Sequence, residues 1–243
     1  METLLPTASA LTVLTFGVVL GFKHAIEVDH VVAVSAIVSQ DRNIWHSALI
    51  GLLWGVGHTA SLFMVGMLVL VFEMSIPRSV SNWFELLVAM MIVGLGSLAF
   101  LRAVRNRRDV HFHRHDHSRE SHTHLHFHEG LVEQDSLKES QWHMVDRIGL
   151  KPLIVGSIHG LAGSAALTLL ILPQIESLLL GVSYLLTFGL GSISAMLAMS
   201  LLMGLPFALT CSKLKGTSVA LQLGTGAVSV IFGLWYAYQW SIS

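Results

Sequence analysis

The sequence predicts an all-α polytopic membrane protein with about six transmembrane helices. Of its 243 residues, 53% are hydrophobic and only 12% are charged, whereas a soluble domain usually carries about 25% charged residues. The apolar residues recur in long stretches, and an α-helix needs about 20 such residues to cross a bilayer. The expected surroundings of the chain are therefore lipid rather than water.

The predicted spans are 8–38, 47–72, 84–104, 152–172, 179–204 and 217–240. The first is longer than one crossing requires, so we expect it to be tilted, kinked or followed by a turn at the membrane surface. Glu85, near the start of the third span, is expected to reach toward the membrane surface. The spans predict a three-helix membrane repeat over 1–104, a histidine-rich loop over 105–151 and a second three-helix membrane repeat over 152–243.

The lysines and arginines predict the orientation of the chain. Twelve of the 14 lie after the first span, between the third and fourth spans, or between the fifth and sixth. These three connections share one side of the membrane, and basic residues concentrate on the cytoplasmic side. We therefore expect a bacterial-type inner (plasma) membrane protein with a cytoplasmic loop and both termini outside.

The two halves of the chain show a faint internal repeat. HAIEVD, from His24, aligns with HGLAGS, from His159, at an offset of 135; WGVGHT, from Trp54, aligns with FGLGSI, from Phe188, at an offset of 134. Because each copy has three spans, an odd number, the copies must face opposite ways. Inverted repeats are typical of transporters, whose site lies at the midplane between the copies. The alternative is a chance match between helices rich in small residues.

Polar side chains fall at similar depth in four of the spans. They are His24, Glu27, Asp29, His30, His58, His159 and Ser192. An ionisable group at this depth costs about 2.5–3.5 kcal/mol on insertion scales and marks a functional site by default. Several helices that contribute such groups at one depth predict a site for a cation.

The spacing of the first motif leaves the role of Asp29 open. On a regular helix His24, Glu27 and His30 lie within an arc of about 120°, whereas Asp29 points elsewhere. A distortion near Gly21 would bring Asp29 into the site; otherwise Asp29 would orient a ligating imidazole. Imidazole and carboxylate ligands without thiolate suit Ni²⁺, Co²⁺, Zn²⁺ or Cu²⁺. A proton relay or a structural His–Asp pair is the alternative, and His159 fits either interpretation.

The loop between the third and fourth spans is rich in histidine. Its sequence from position 110 is VHFHRHDHSRESHTHLHFHE, which contains His111, His113, His115, His117, His122, His124, His126 and His128. Alternating H-x-H tracts bind divalent metals in an exchangeable way. Because the segment is too polar to pack, we expect it to be disordered and to capture metal in the cytoplasm. The alternative is a pH-responsive or merely solvating linker.

At these residues the chain resembles the nickel/cobalt transporter family (NiCoT, within the broader NicO group). HAIEVDH at 24–30 is similar to the family motif HAxDADH, and VGHT at 56–59 is similar to LGH(S/T). VGSIHGLAGS at 155–164 resembles the UreH-type urease accessory membrane proteins of the same group. Glu27 stands where the family has its first Asp, and the third family motif, with its own Asp, is replaced by the stretch that contains His159.

The resemblance implies transport of Ni²⁺ or Co²⁺, with His24, Asp29, His30 and His58 as the metal-handling residues. We predict a permease in which His24, His30 and His58 ligate the ion and Glu27 and Asp29 supply negative charge. From the second half, His159 would join the metal site, with Ser164 and Ser192 as lining residues. Zn²⁺ is a further candidate ion, and no prosthetic cofactor is expected.

The predicted partners are the metal ion, the bilayer and a metallochaperone or urease maturation protein, with no nucleic acid. The alternative function is a non-transporting accessory protein that binds metal and docks a metallochaperone through the histidine-rich loop. An enzyme is not expected, because the chain has no nucleophile–base arrangement and neither GxxxxGK[ST] nor HExxH. The single cysteine, Cys211, argues against electron or thiol chemistry.

Overall fold

The computed structural model describes residues 4–41, 43–72, 77–108, 110–117, 120–127, 149–161, 177–213 and 215–241. This part of the chain contains seven α-helices and one two-stranded hairpin. The helices are α1 (Leu4–Ala25), α2 (Val28–Val38), α3 (Ile44–Phe72), α4 (Arg78–Arg108), α5 (Lys151–Gly160), α6 (Leu178–Lys213) and α7 (Lys215–Ser241). The strands are β1 (Val110–His117) and β2 (Glu120–Phe127).

Four helices of the described part are long and apolar enough to cross a membrane. They contain the stretches Ile44–Phe72, Ser79–Arg105, Leu178–Leu209 and Thr217–Trp240. Large side chains such as Leu68, Met90 and Leu190 are exposed along them, as expected for surfaces that face lipid. The predicted polytopic helical membrane fold is confirmed. Of the predicted span 152–172, residues 162–172 lie outside the described part of the chain.

The first predicted span is a pair of helices bent at its middle. Ala10–Ala25 and Val28–Val38 meet at 56° and together are apolar enough for a fifth crossing. Glu27, at the bend, has extended backbone angles (φ −63°, ψ 153°), so the helix stops at Ala25 and restarts at Val28. Of the three alternatives for this long span, the structure therefore has the kink, and the kink lies inside the motif at 24–30.

The main helix contacts fall into pairs that correspond when the two halves are exchanged. In the centre α3 lies against α6; α1 packs along α6, and α5 packs along α3. The outer helices α4 and α7 pair with each other, and α2 touches α4, α6 and α7. The largest cluster of buried apolar side chains fills the space between α2, α3, α4 and α6, with Trp54 and Met196 among its fully buried members.

Close approaches between backbones occur in reciprocal pairs. A Cβ on Gly21 would collide with the carbonyl of Phe188, and a Cβ on Gly156 would collide with that of Trp54. In the same way, the contact of Gly57 with Leu153 corresponds to the contact of Gly191 with Val18. The contact of Gly55 with Ile193 corresponds to the contact of Gly189 with Thr59. Small residues let membrane helices approach this closely. Reciprocal contacts at offsets of 134 and 135 are what a three-plus-three repeat requires. The domain boundaries assigned to the repeats stay predictions.

Glu85 does not reach the membrane surface as the sequence suggested. Its residue is only 3% exposed, and the Tyr236 hydroxyl donates to Glu85 Oε2 at 2.5 Å. The expectation was wrong because a partner on α7 lies beside this turn of α4, so that the carboxylate is bonded within the protein.

The histidine-rich segment contains two antiparallel strands, over 110–117 and 120–127, where disorder was expected. Its register pairs six histidines with one another: His111 with His126, His113 with His124 and His115 with His122. An H-x-H tract repeats every second residue, which is the period of a β-strand, and composition alone conceals this. His128 lies outside the described residues, and α4 continues to Arg108, beyond the predicted end at 104.

Candidate metal centre

The break between α1 and α2 determines the positions of the side chains of the motif at 24–30. The backbone N–H groups of Ile26 and Glu27 bond to the carbonyls of Lys23 and His24, which closes the last turn before the chain extends at Glu27. Asp29 is therefore not on a continuous helix with His24, and it joins the site. The distortion lies at 26–27 rather than at Gly21, which remains inside α1 against the Phe188 carbonyl.

Three imidazoles converge from α1, α2 and α3. His24 Nε2 and His58 Nε2 lie 3.2 Å apart, and the His30 ring centroid is 4.6 Å from that of His24 and 5.1 Å from that of His58. One ring nitrogen of each lies within 4.8 Å of the other two. On the far side of His24, its Nδ1 donates to Glu27 Oε2 at 3.1 Å.

Asp29 connects this group to the second half of the chain. Its Oδ1 accepts a hydrogen bond from His30 Nδ1 at 3.1 Å, and its Oδ2 accepts one from His159 Nε2 at 3.0 Å. The rings of His30 and His159 have centroids 4.1 Å apart. Asp29, His30 and His159 thus form a second group whose potential ligand atoms also lie within 4.8 Å of one another.

The site is buried except at one edge. His30, His58 and His159 are fully buried, while 35% of the Glu27 side chain is exposed. Three buried ring nitrogens, His30 Nε2, His58 Nδ1 and His159 Nδ1, have no hydrogen-bond partner among the described residues. Leaving one such group unpaired costs about 1–3 kcal/mol. Three in one cluster are free to bind an ion or ordered water.

Glycines in α5 bring His159 close to His58. A Cβ on Gly156 would collide with the Trp54 carbonyl, and a Cβ on Gly160 would collide with the His58 carbonyl. The two helices therefore touch backbone to backbone on both sides of His159. As a result, the His58 and His159 rings lie 6.0 Å apart although they are on different halves of the chain.

The structure brings together six of the residues predicted for the metal: His24, Glu27, Asp29, His30, His58 and His159. Ser192 is buried nearby, but its hydroxyl donates to the Gly21 carbonyl at 3.0 Å, so it joins α6 to α1. Ser164 lies outside the described residues. Of the predicted loop histidines, all but His128 are on β1 and β2.

Two aromatic residues of the site were not among the predicted ones. The Trp54 ring lies 5.6 Å from that of His159, and the Phe188 ring lies 5.7 Å from that of His24. Both begin the aligned segments WGVGHT and FGLGSI, so the repeat itself could have pointed to them. They supply apolar walls that limit the access of water to the imidazoles.

The arrangement of nitrogens suits a transition-metal cation. Two bonds of about 2.0 Å at a tetrahedral angle place two ligand nitrogens about 3.3 Å apart, close to the 3.2 Å between His24 and His58. Carboxylates on the far nitrogens of ligating histidines are a common feature of metal sites, and His24 and His30 both have one. The chain of contacts from Glu27 through His24 to His58 can also pass a proton.

Comparison with known proteins connects this chain with one group. It is 37% identical to the urease accessory protein UreH of Bacillus sp. (strain TB-90) over 233 aligned residues. The alignment covers 96% of this chain and 93% of that protein. No protein-family model matches the chain, and no solved structure matches it. The similarity spans both halves and confirms the resemblance suggested by residues 155–164.

Proposed function

Because this chain belongs to the UreH family of urease accessory proteins, we propose that it is a membrane permease for a divalent transition-metal cation. Ni²⁺ is the first candidate, since a urease accessory role implies nickel, and Co²⁺ is the second, through the motifs at 24–30 and 56–59. Zn²⁺ remains to be tested as a competing ion. The family is an accessory one, so the chain is not an enzyme.

The observation that carries the proposal is the buried convergence of His24, His30 and His58 at a helix break. Neutral imidazoles bind such cations, and the carboxylates of Glu27 and Asp29 offset their charge where water is excluded. Unwound backbone between two repeats is where transporters hold their cargo. His159, from the second half, would contact the ion from the opposite side.

We also propose how the cargo reaches or leaves the permease. The basic residues favour an inner-membrane protein with both termini outside and residues 105–151 in the cytoplasm. The histidines at 111–128 would capture metal there and exchange it with a metallochaperone or urease maturation protein. Their H-x-H pattern supports binding that is weak enough to exchange.

A second function, a non-transporting accessory protein, is supported by the name of the relative and by the histidine-rich segment. In that case metal would bind at residues 111–128 and the protein would dock a metallochaperone. The buried imidazoles would then serve only to hold α1, α2, α3 and α5 together.

Metal flux into proteoliposomes loaded with a fluorescent chelator separates the two functions. Ni²⁺, Co²⁺, Zn²⁺ and Mn²⁺ are tested with the wild type, His24→Ala and the size-matched His24→Gln. We expect Ni²⁺ or Co²⁺ flux that both variants abolish. His46→Ala is the control, because His46 bonds to Asp41 (3.2 Å) outside the site, and flux should persist. No flux of any ion from the wild type, with metal still bound at 111–128, would support the accessory function.

A further inference from the structure

His30 belongs to two groups of potential ligands at once. The first, here called the rim site, is His24, His30 and His58; the second, the inner site, is Asp29, His30 and His159. In each group the three potential ligand atoms lie within 4.8 Å of one another. No other residue is common to both groups.

The two sites differ in charge and in their contact with Glu27. The rim site consists of three imidazoles and no carboxylate, and it lies beside Glu27, whose side chain is 35% exposed and bonds to His24. The inner site contains the Asp29 carboxylate and the fully buried His159. Because Glu27 contacts His24 of the rim site, we expect a cation that arrives at Glu27 to meet the nitrogen ligands before the Asp29 carboxylate.

The hydrogen bonding of His30 and the repulsion between two dications disfavour an ion in both sites at the same time. His30 Nδ1 is bonded to Asp29, so His30 has only Nε2 to offer, and that nitrogen has no partner among the described residues. Two dications at such short range would also repel each other four times as strongly as two unit charges. One ion at a time is the consequence.

The repeat explains why two sites exist. His24 and His159 occupy equivalent positions of the two halves, at an offset of 135. Each half thus supplies one histidine of this kind, His24 to the rim site and His159 to the inner site. His30, on α2 between them, faces both rings, with centroids 4.6 Å and 4.1 Å away.

We propose that the rim and inner sites are successive stations for one divalent metal ion, which is handed over while it remains bound to His30. This inference rests on the proposed transport function and adds a second binding site, with His159 as a ligand. In the handover His24 and His58 are exchanged for Asp29 and His159. Because His30 stays bound, the ion is never without protein ligands in the apolar interior.

The test measures Ni²⁺ binding to full-length protein in detergent, with the eight histidines between 111 and 128 replaced by Asn so that only the buried sites remain. Equilibrium dialysis gives the number of ions per chain, and X-ray absorption counts the imidazole ligands. The variants are His24→Gln, His159→Gln and His30→Gln. Gln keeps an amide near the position of Nε2, so it can still donate to Asp29 or fill the space, but it is a poor ligand.

We expect one Ni²⁺ per chain in the parent, in His24→Gln and in His159→Gln. The ion should have two imidazole ligands in His24→Gln, where only the inner site remains, and three in His159→Gln, where only the rim site remains. His30→Gln should weaken binding at least about 100-fold, since it damages both sites. His46→Gln, a histidine outside both sites, should match the parent. Each of the three site variants should stop Ni²⁺ flux.

Three results would overturn the inference. Two Ni²⁺ per chain in the parent would mean independent sites, and loss of binding in all three site variants would mean one composite site. Flux in His159→Gln equal to that of the parent would show that His159 is not a ligand in transit. Failure of the transport function can be distinguished from failure of the two-site inference. If the wild type shows no flux but the ligand counts are as expected, the two binding sites exist without transport. Flux that requires His24 but not His159 would support the transport function and reject the second binding site.

Discussion

At the scale of single residues, two carboxylates set the direction in which two imidazoles present their lone pairs. Glu27 accepts a hydrogen bond from His24 Nδ1, and Asp29 accepts one from His30 Nδ1. A proton held on Nδ1 leaves Nε2 as the nitrogen that can bind a cation. In the proposed site Glu27 would therefore act on a bound ion through His24.

Removing the Glu27 carboxylate should weaken metal binding without abolishing it. We expect Glu27→Gln to lower Ni²⁺ affinity about 10–100-fold, as is typical when the partner of a ligating histidine is lost. Competition with a chelating dye, in protein whose loop histidines are replaced, measures this. Asp41→Asn removes a carboxylate from a similar pair, with His46, and should leave the affinity unchanged. An equal loss in both variants would contradict the role given to Glu27.

The buried pair Glu85–Tyr236 should contribute to stability. The Tyr236 hydroxyl bonds to Glu85 on the neighbouring helix at 2.5 Å, and removing one partner of a buried hydrogen bond costs about 1–3 kcal/mol. We expect Tyr236→Phe to lower the free energy of unfolding by this amount. Tyr184→Phe, which removes a buried hydroxyl that has no hydrogen-bond partner among the described residues, should lower it by less than about 0.5 kcal/mol. Thermal unfolding in detergent compares them, and equal effects would argue against the pair.

At the scale of elements, the contact between α3 and α5 is what carries His159 to the site. Gly94, in α4, provides a matched comparison, because a Cβ there would meet nothing within 4 Å. Gly94→Ala should be neutral or stabilise the helix by up to about 1 kcal/mol. Gly156→Ala has to push α5 away from the Trp54 carbonyl, so it should destabilise by about 1–3 kcal/mol.

The same two variants separate stability from binding. Moving α5 displaces His159, three residues after Gly156, so Gly156→Ala should also lower Ni²⁺ affinity, whereas Gly94→Ala should not. Unfolding temperature and dye competition are measured on the same samples. A Gly156→Ala protein with parental stability and affinity would show that the close approach of α3 and α5 is not needed.

The sequence predicted the helices better than it predicted their interruptions. Six long apolar spans are visible in the sequence because lipid demands them, and the described residues contain four of them as single helices and the first as a bent pair. The break at Ile26–Glu27 has neither Pro nor Gly to mark it; bonds from Glu27 to His24 and from Asp29 to His159 accompany it, and these depend on the tertiary fold. Gly21 was the visible candidate, but its lack of a side chain serves the approach to Phe188.

At the scale of the whole molecule, glycines at corresponding positions of the two halves make corresponding contacts with the opposite half. If the Gly21–Phe188 and Gly156–Trp54 approaches are equivalent, then Gly21→Ala and Gly156→Ala should destabilise to a similar extent, within about 1 kcal/mol. Thermal unfolding of the two variants and of the double variant measures this. A large effect in one and none in the other would contradict equivalence of the halves.

The residues of the site could be predicted because charge inside a membrane is costly and therefore rare. His24, Asp29, His30 and His58 stood out for that reason, and the family motifs named the same positions. Their distances could not be predicted, since these depend on the bend of the first span and on the glycines of α5. His159 fitted two interpretations equally in the sequence; its 3.0 Å contact with Asp29 places it in the cluster.

The position of a bound ion is the most direct measurement. Crystals of the full-length protein grown with Ni²⁺ would be examined at the nickel absorption edge for anomalous scattering. We expect a peak about 2 Å from ring nitrogens of His24, His30 and His58, or about 2 Å from Asp29, His30 and His159. Peaks only near residues 111–128, with His24 and His58 still in direct contact, would contradict a metal path through the membrane part of this protein.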